Sequence, residues 1–518
     1  MHKDQFVRKS GERHLKLWFP YLDYVIYLFI NPGGRTAAYR ACEKIMIGGV
    51  FRVIRKGASR LRFSVLSSYV QSELERVVTT ISKGEQLMAL SKRDIDINNV
   101  NCDDYTVADF VDFESDDLFE VTEYFWELYE DGVRKKYMVY GQPVMSAPLD
   151  QFDMYDMNTD SVRRFLNFCS YNYLGYSYHP EVRKAVKDSI DKYGTGAVSA
   201  PLLSGYYDVT QKLERAIAEL KGHEAAIAFP TGYSANLGTL SGLLRPGDAA
   251  VLDMLSHASI YDGVRLSGAD IKVFVHNNPK HLEKVLKGLK TKRVIVCVEG
   301  VYSMDGDLAN LPEIVPICKK YGAKILVDEA HASLIFGERG AGVTEHFGME
   351  DQIDICIGTF SKSFGAIGGF ASGGLKLMTY LRMYARAYMF SCAMAPHTAA
   401  GILKVLELYS KDKSEREKLW ENTRYMHEKL KEAGLDIGNT KSQVIPVMAG
   451  NDLRLREISK RLQERGLFTG VVTYPAVSKN KTRLRLSVSS YHTKEELDKC
   501  VQILKEVFEE MEDWSPQK

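Results

Sequence analysis

The sequence predicts an α/β fold: a mostly parallel central sheet flanked by helices, a smaller C-terminal α+β domain, and an N-terminal extension. Three observations carry this. Continuously apolar, β-rich runs at Arg293 to Val298, Ala323 to Val327 and Asp354 to Gly358 read as strands buried on both faces. Amphipathic helical patterns such as Leu311 to Tyr321 lie between them, and that alternation is the signature of parallel βα units. From about residue 396 the texture changes, with long helical patterns at Ala399 to Tyr409 and Ser414 to Gly434, a few strands, and a last helix at Thr493 to Met511.

The composition fits a globular chain. Of 518 residues, 45% are hydrophobic and 26% charged, which excludes a disordered, collagen-like or coiled-coil protein. The net charge of +1 argues against a generic nucleic-acid binder, but it is a cancellation. Residues 1–65 hold thirteen Lys/Arg against four Asp/Glu, and residues 94–131 hold fourteen Asp/Glu and no Lys/Arg. Leu17 to Ile30 is the most apolar early stretch; it is shorter than the ~20 residues of a spanning helix and contains Pro20 and Asp23. The basic arm reads either as a segment attracted to an anionic membrane surface, at about 1 kcal/mol per basic residue, or as a solvated arm or subunit contact. Leu118 to Tyr129 in the acidic run has aromatics at helical spacing.

The eight cysteines are scattered, with no C-x-x-C, so no metal site is expected. They read as reduced thiols of a cytoplasmic protein, peripheral at the membrane if the arm binds lipid. The expected organisation is a basic extension over 1–93, an acidic linker with the first helix and strands over 94–160, a large domain over 161–395 and a small domain over 396–518.

Chemistry concentrates after the strands. Gly358-Thr-Phe-Ser-Lys-Ser-Phe-Gly365 puts Lys362 just past a strand, among hydroxyls and glycines. Such a lysine can form a Schiff base with an aldehyde cofactor, and Thr359 and Ser361 can hold a phosphate. Alone, the motif reads equally well as a structural turn. Val327-Asp-Glu-Ala-His331 places Asp328 at a strand end, facing the ligand crevice of an open α/β sheet. An aspartate there can pair with the pyridine nitrogen of pyridoxal phosphate (PLP), and His331 can reach its phenolic oxygen. Thr231-Gly232-Tyr233 opens a helix after the run Ala225 to Pro230, a phosphate-binding junction. His257 follows another apolar run and could stack on a planar ring, and Ser303 in Glu299-Gly-Val-Tyr-Ser-Met-Asp305 adds a hydroxyl. A lone histidine is usually structural, but five such motifs in series suit one ligand.

Taken in order, EGVYSMDGD, VDEAHA and GTFSKSFGA mean that residues 160–510 resemble the α-oxoamine synthases, fold-type I PLP-dependent transferases that join an amino acid to an acyl-CoA with loss of CO2. The resemblance implies PLP on Lys362, Asp328 on its ring nitrogen, His331 on its phenolic oxygen and His257 stacked on the ring and touching substrate. It also implies that Gly232 and Tyr233 lie beside the phosphate and that Ser303, Thr359 and Ser361 supply cofactor hydroxyls. Arg485, in Thr482-Arg-Leu-Arg-Leu486, matches the arginine that binds the substrate carboxylate, for which a bidentate guanidinium is suited. The family's active site usually forms between two subunits, so a homodimer is expected.

Ser170-Tyr-Asn-Tyr-Leu-Gly175 is more similar to the serine palmitoyltransferase branch and adds Tyr171 and Asn172 as substrate contacts. The expected reaction is condensation of L-serine with palmitoyl-CoA to a 3-keto sphingoid base. The alternative keeps the reaction but takes glycine, alanine or cysteate with a different acyl thioester; a silent synthase subunit would lack the lysine. One departure stands out: Gly194-Thr-Gly-Ala-Val-Ser-Ala-Pro201 has Pro201 where the family pattern has arginine.

Overall fold

The computed structural model describes residues 95–514, apart from 97, 112, 114, 475 and 479. The expectations for the basic extension, including the lipid-binding arm over 1–65, lie outside the described residues. Asp94–Lys518 form one compact unit. No helix among the described residues is long and apolar enough to cross a membrane.

The acidic run begins the described chain and contains helix α1 (Glu120–Arg134). One face of α1 buries Leu128 against Val100, Cys102, Tyr105 and Phe110. The charge of the run is partly met nearby, since Lys135 lies 2.6 Å from Asp103 and 2.9 Å from Asp131.

Two sheets follow. The larger has seven strands: β3 (Ala225–Phe229), β4 (Ala249–Asp253), β5 (Asp270–Phe274), β6 (Val294–Glu299), β7 (Lys324–Asp328), β8 (Ile355–Thr359) and β9 (Gly369–Gly373). Their spatial order is β3-β9-β8-β7-β6-β4-β5, and only β9 pairs antiparallel to its neighbours. The continuous apolar runs have a direct cause. Val294, Val296 and Val298 of β6 join the core on one face, while Ile295 and Cys297 join a second core on the other. Each fully buried aliphatic side chain contributes about 1.5–3 kcal/mol, so a polar residue on either face would be costly. Helix α2 (Gly232–Leu243) follows β3, α3 (Ala258–Ser267) follows β4, and α4 (Leu311–Tyr321) lies between β6 and β7.

The second sheet has five strands: β1 (Gln151–Asp156), β2 (Ser161–Phe168), β10 (Val444–Gly450), β11 (Leu467–Val472) and β12 (Thr482–Ser487), in the order β1-β2-β11-β12-β10. Helix α6 (Asp452–Glu464) packs on β10, β11 and β12, and α7 (Lys494–Glu510) lies against both α6 and α5 (Ser414–Glu432). A boundary at residue 161 would separate β1 from β2, yet these pair antiparallel from Gln151↔Leu166 to Asp156↔Ser161. The small sheet therefore draws strands from both sides of the large one in sequence, with β2 parallel to β11. The hairpin turns at Asp160, whose φ of 53° suits a short polar residue.

Candidate active site

The C-terminal ends of the parallel strands assemble the site. Asp253 ends β4, Glu299 ends β6, Asp328 ends β7 and Thr359 ends β8. This is where an open α/β sheet presents ligand-binding groups.

Asp328 is buried and held at both oxygens. Asn236 Nδ2 of α2 donates to Oδ2 at 2.7 Å, and the Ala330 amide donates to Oδ1 at 2.9 Å. Asn236 Nδ2 also donates to Ser259 Oγ at 3.1 Å. Ser259 Oγ lies 2.7 Å from His257 Nδ1, and the Ser259 amide donates to the same nitrogen at 3.2 Å. A chain of hydrogen bonds thus links Asp328 to His257, whose imidazole caps α3 and leaves Nε2 as the proton-bearing nitrogen. Although His257 presents an open edge to solvent, the protein packed around its ring lowers its proton affinity. Asp328 works against that shift, and the Lys362 and Arg485 cations add to it.

Lys362 is half-buried in the turn after β8. Burial lowers its amine from the usual lysine range to about 8, with Arg485 acting in the same sense and the Asp328 and Glu299 carboxylates opposing. Its Nζ lies 5.9 Å from the ring centroid of Tyr171. On the other partner of that ring, Arg485 sits 5.0 Å from the centroid and donates through Nη2 to the Tyr171 hydroxyl. Arg485 Nη1 donates to the Ser303 carbonyl at 3.2 Å, so β12 of the small sheet is tied to the loop after β6. Arg483, two residues earlier, makes a parallel tie to the Met304 carbonyl at 3.1 Å and Asp305 at 2.7 Å. His331 packs edge-on to Tyr171 with centroids 6.1 Å apart, and burial drives its proton affinity far down.

The turn of α2 is built for close approach. Thr231 caps it by accepting from the Ser234 amide at 3.0 Å. A Cβ on Gly232 would lie 2.8 Å from Thr359 Cβ, and one on Gly369 would lie 2.6 Å from Gly232 Cα. Only glycine leaves this junction open. Thr359 Oγ1 is 2.7 Å from Ser361 Oγ and donates to the Gly368 carbonyl at 2.9 Å. The expected residues Lys362, Asp328, His331, Thr359, Ser361, Gly232, Ser303, Arg485 and Tyr171 therefore occupy one crevice. Tyr233 is more peripheral: it is exposed, donates to Asp262, and meets His257 edge-on at 6.5 Å. Asn172 lines the cleft beside Lys362 and ties two segments together, donating to the Pro148 carbonyl before β1 and accepting from the Ser177 amide of its own loop, each at 3.3 Å.

Several contributors were not singled out from sequence. Glu299 is buried, with its carboxyl pushed well above the usual range by burial and by Asp328. Tyr173 is fully buried, 2.9 Å from His331 Nδ1. Asp253, His276 and Asp307 form a clamp behind the site, His276 lying 2.9 Å from each carboxylate. Burial opposes the imidazolium, but these two hydrogen bonds outweigh it and raise His276 to about 10. The strut is thus fully effective below pH ~6.5, and its stabilisation fades as pH rises towards 10 and is lost above it. Replacing His276 with Gln is expected to lower the denaturation midpoint at pH 6.5 and to make little difference near pH 10.5. A gap independent of pH, measured by urea titration, would sink this account.

A cleft of about 490 Å³ opens beside Lys362. It is lined by Tyr171, Ser361 and Cys169, and by the apolar Val144, Pro148, Phe152 and Phe468. A larger cavity of about 820 Å³, bordered by Trp420, Arg416, Arg424 and Lys441, contains none of the groups described above.

A family model described as aminotransferase class I and II matches residues 163–504. The chain belongs to that family. Curated relatives place it among the α-oxoamine synthases. An 8-amino-7-oxononanoate synthase of Alkaliphilus metalliredigens is 38% identical over 388 residues, covering 74% of this chain and 96% of that protein. A serine palmitoyltransferase of Sphingobacterium spiritivorum is 38% identical over 351 residues, covering 68% and 88%. Among solved structures, the serine palmitoyltransferase of Sphingomonas wittichii matches with a TM-score of 0.72 and 33% identity, over 76% of this chain and 99% of that one. The chain is a PLP-dependent acyltransferase of the α-oxoamine synthase type.

The crevice fits that cofactor. The glycine junction at Gly232 and Gly369 leaves room for a phosphate at the α2 N-terminus. Glu299 Oε1 and Asn236 Oδ1 are buried without a hydrogen-bond partner beside Asp328. Asp328 would hold the ring nitrogen, His331 the phenolic oxygen and Lys362 the aldehyde carbon. When bound, PLP supplies the electron sink that stabilises a carbanion at the substrate Cα. The chain supplies the rest. Arg485 would orient the substrate carboxylate, and the neutral Lys362 amine can take the Cα proton. His257 Nε2–H can donate to a developing oxyanion.

Proposed function

We propose that the chain condenses a small α-amino acid with an acyl thioester, releasing CO2 and the thiol, with glycine, alanine or cysteate as the amino donor. The observation that carries this is the clasp of Arg485 and Tyr171 beside Lys362, which leaves a guanidinium for a carboxylate and an apolar cleft for the acyl part. Five of the similar curated relatives besides the one from Alkaliphilus metalliredigens are also named 8-amino-7-oxononanoate synthases, which favours an amino donor other than serine. A second reading, L-serine with palmitoyl-CoA giving a 3-keto sphingoid base, is favoured by the Tyr171-Asn172-Tyr173 segment and by the resemblance in structure to serine palmitoyltransferases.

The active unit we propose is a homodimer. Val198, Leu203, Phe390 and Ile367 are 89%, 82%, 71% and 60% exposed, and Ile367 lies in the lysine loop itself. The Ala393 amide donates to the Ser199 carbonyl at 2.9 Å, which joins the first three into one region. Exposed apolar side chains gathered in this way suit a subunit contact.

The test is a titration of the loaded enzyme with glycine, alanine, cysteate and serine, followed by cofactor absorbance, then thiol release with acyl-CoAs of graded length. A response to serine alone, with release only from long-chain acyl-CoA, would replace the first reading with the second.

A further inference from the structure

Tyr173 takes no part in the chemistry outlined above, yet it is wholly buried and its hydroxyl sits 2.9 Å from His331 Nδ1. We propose that Tyr173 is a positioning residue that fixes His331 in the tautomer carrying its proton on Nε2. The reasoning starts from the protonation states. His331 is 4% exposed, and its charged form is disfavoured first by burial and then by the Lys362, Arg485 and His257 charges around it, so the ring is neutral. A neutral imidazole has one N–H and one bare nitrogen. The Tyr173 phenol is held protonated by its burial, against the pull of Arg485 and of the Gln443 and Ser487 side chains. The phenol thus keeps a hydrogen to give, and in the proposed arrangement it gives it to Nδ1, which accepts.

The backbone is pinned as well. Gln443 Nε2 donates to the His331 carbonyl at 2.9 Å, and the Ser490 amide donates to the Tyr173 carbonyl at 2.9 Å. The hydroxyl and the ring therefore meet on two fixed segments. In the opposite tautomer Nδ1–H would donate to the phenol oxygen, and the phenol hydrogen would turn to the Gln443 or Ser487 side chain beside it. With the proton on Nε2, His331 is a donor toward the crevice and can hold the phenolic oxygen of the cofactor in its ionised form. The same pattern recurs at His257, where the Ser259 hydroxyl and amide occupy Nδ1. Two histidines, in the connections after β4 and β7, thus present the same nitrogen.

The inference rests on the PLP assignment for its consequence but not for its first measurement. The imidazole nitrogens of full-length, cofactor-free protein labelled with 15N-histidine are read by NMR at pH 7.5, with His331→Asn used to assign the resonance. The expected result is a proton on Nε2 of His331 in the wild type and a mixture of tautomers in Tyr173→Phe, with His257 unchanged in both. In the loaded protein, Tyr173→Phe is expected to shift the pH midpoint of the cofactor absorbance by about one unit, a tenfold change. A wild-type His331 protonated on Nδ1 would overturn the proposal outright. A Tyr173→Phe protein with unaltered tautomer and unaltered absorbance midpoint would overturn it equally.

Discussion

Replacing Lys362 with alanine is expected to cut condensation to less than about one thousandth of the wild-type rate, because it removes both the covalent anchor and the base that takes the Cα proton. The variant should bind PLP reversibly and hold none after borohydride treatment and denaturation, whereas the wild type should retain one equivalent. The environment of the lysine makes a second expectation. Its amine is depressed to about 8 by burial, with help from Arg485. Only the neutral amine attacks an aldehyde, so covalent uptake of PLP by the cofactor-free protein should accelerate as pH rises through 8 and level off above it. A Lys362→Ala protein that still turned over substrate, or an uptake rate flat from pH 7 to 9, would refute this role.

Arg485→Lys is expected to raise KM for the amino acid by about 10- to 100-fold while leaving PLP affinity within about twofold. The charge survives, but a lysine cannot form the paired hydrogen bonds of a guanidinium, and each bond to a charged group contributes about 1.5–3 kcal/mol. Arg485→Ala should cost more, about 1,000-fold in kcat/KM, partly because the Tyr171 hydroxyl and the Ser303 carbonyl lose their donor. The diagnostic is the split: a loss in kcat with KM unchanged would move Arg485 from substrate binding to the support of the loop after β6.

Most of the crevice was legible because its residues sit in short motifs directly after apolar runs. Lys362, Asp328, His331 and His257 are each announced by a strand a few residues upstream, and the strand pattern itself follows from burial on both faces. What escaped was whatever depends on distant pairing. Tyr173 and His331 are 158 residues apart, and Asp253, His276 and Asp307 come from the end of β4 and from the connections after β5 and β6. Nothing local distinguishes such residues from ordinary loop polar groups. Asn172 is a mixed case: it lines the cleft beside Lys362, as its place in the motif suggests, while its side chain also ties the segment before β1 to its own loop. The break expected at residue 161 followed a real change in texture, but texture does not report which sheet a strand will join.

The pairing of β2 with β11 carries a cost in time. Leu166 aligns with Leu467, so β2 leaves the ribosome 301 residues before its neighbour exists. At about 5–20 residues per second, that is a wait of roughly 15–60 s. During it, the inner half of β2, with Phe165, Leu166 and Phe168, has only the β1 hairpin for cover. The seven-stranded sheet can close as its own strands emerge, whereas the small sheet, and with it the Arg485 clasp, can form only once β10, β11 and β12 have followed. Assembly of the small sheet, rather than folding of the cofactor half, is therefore the late step in building the crevice.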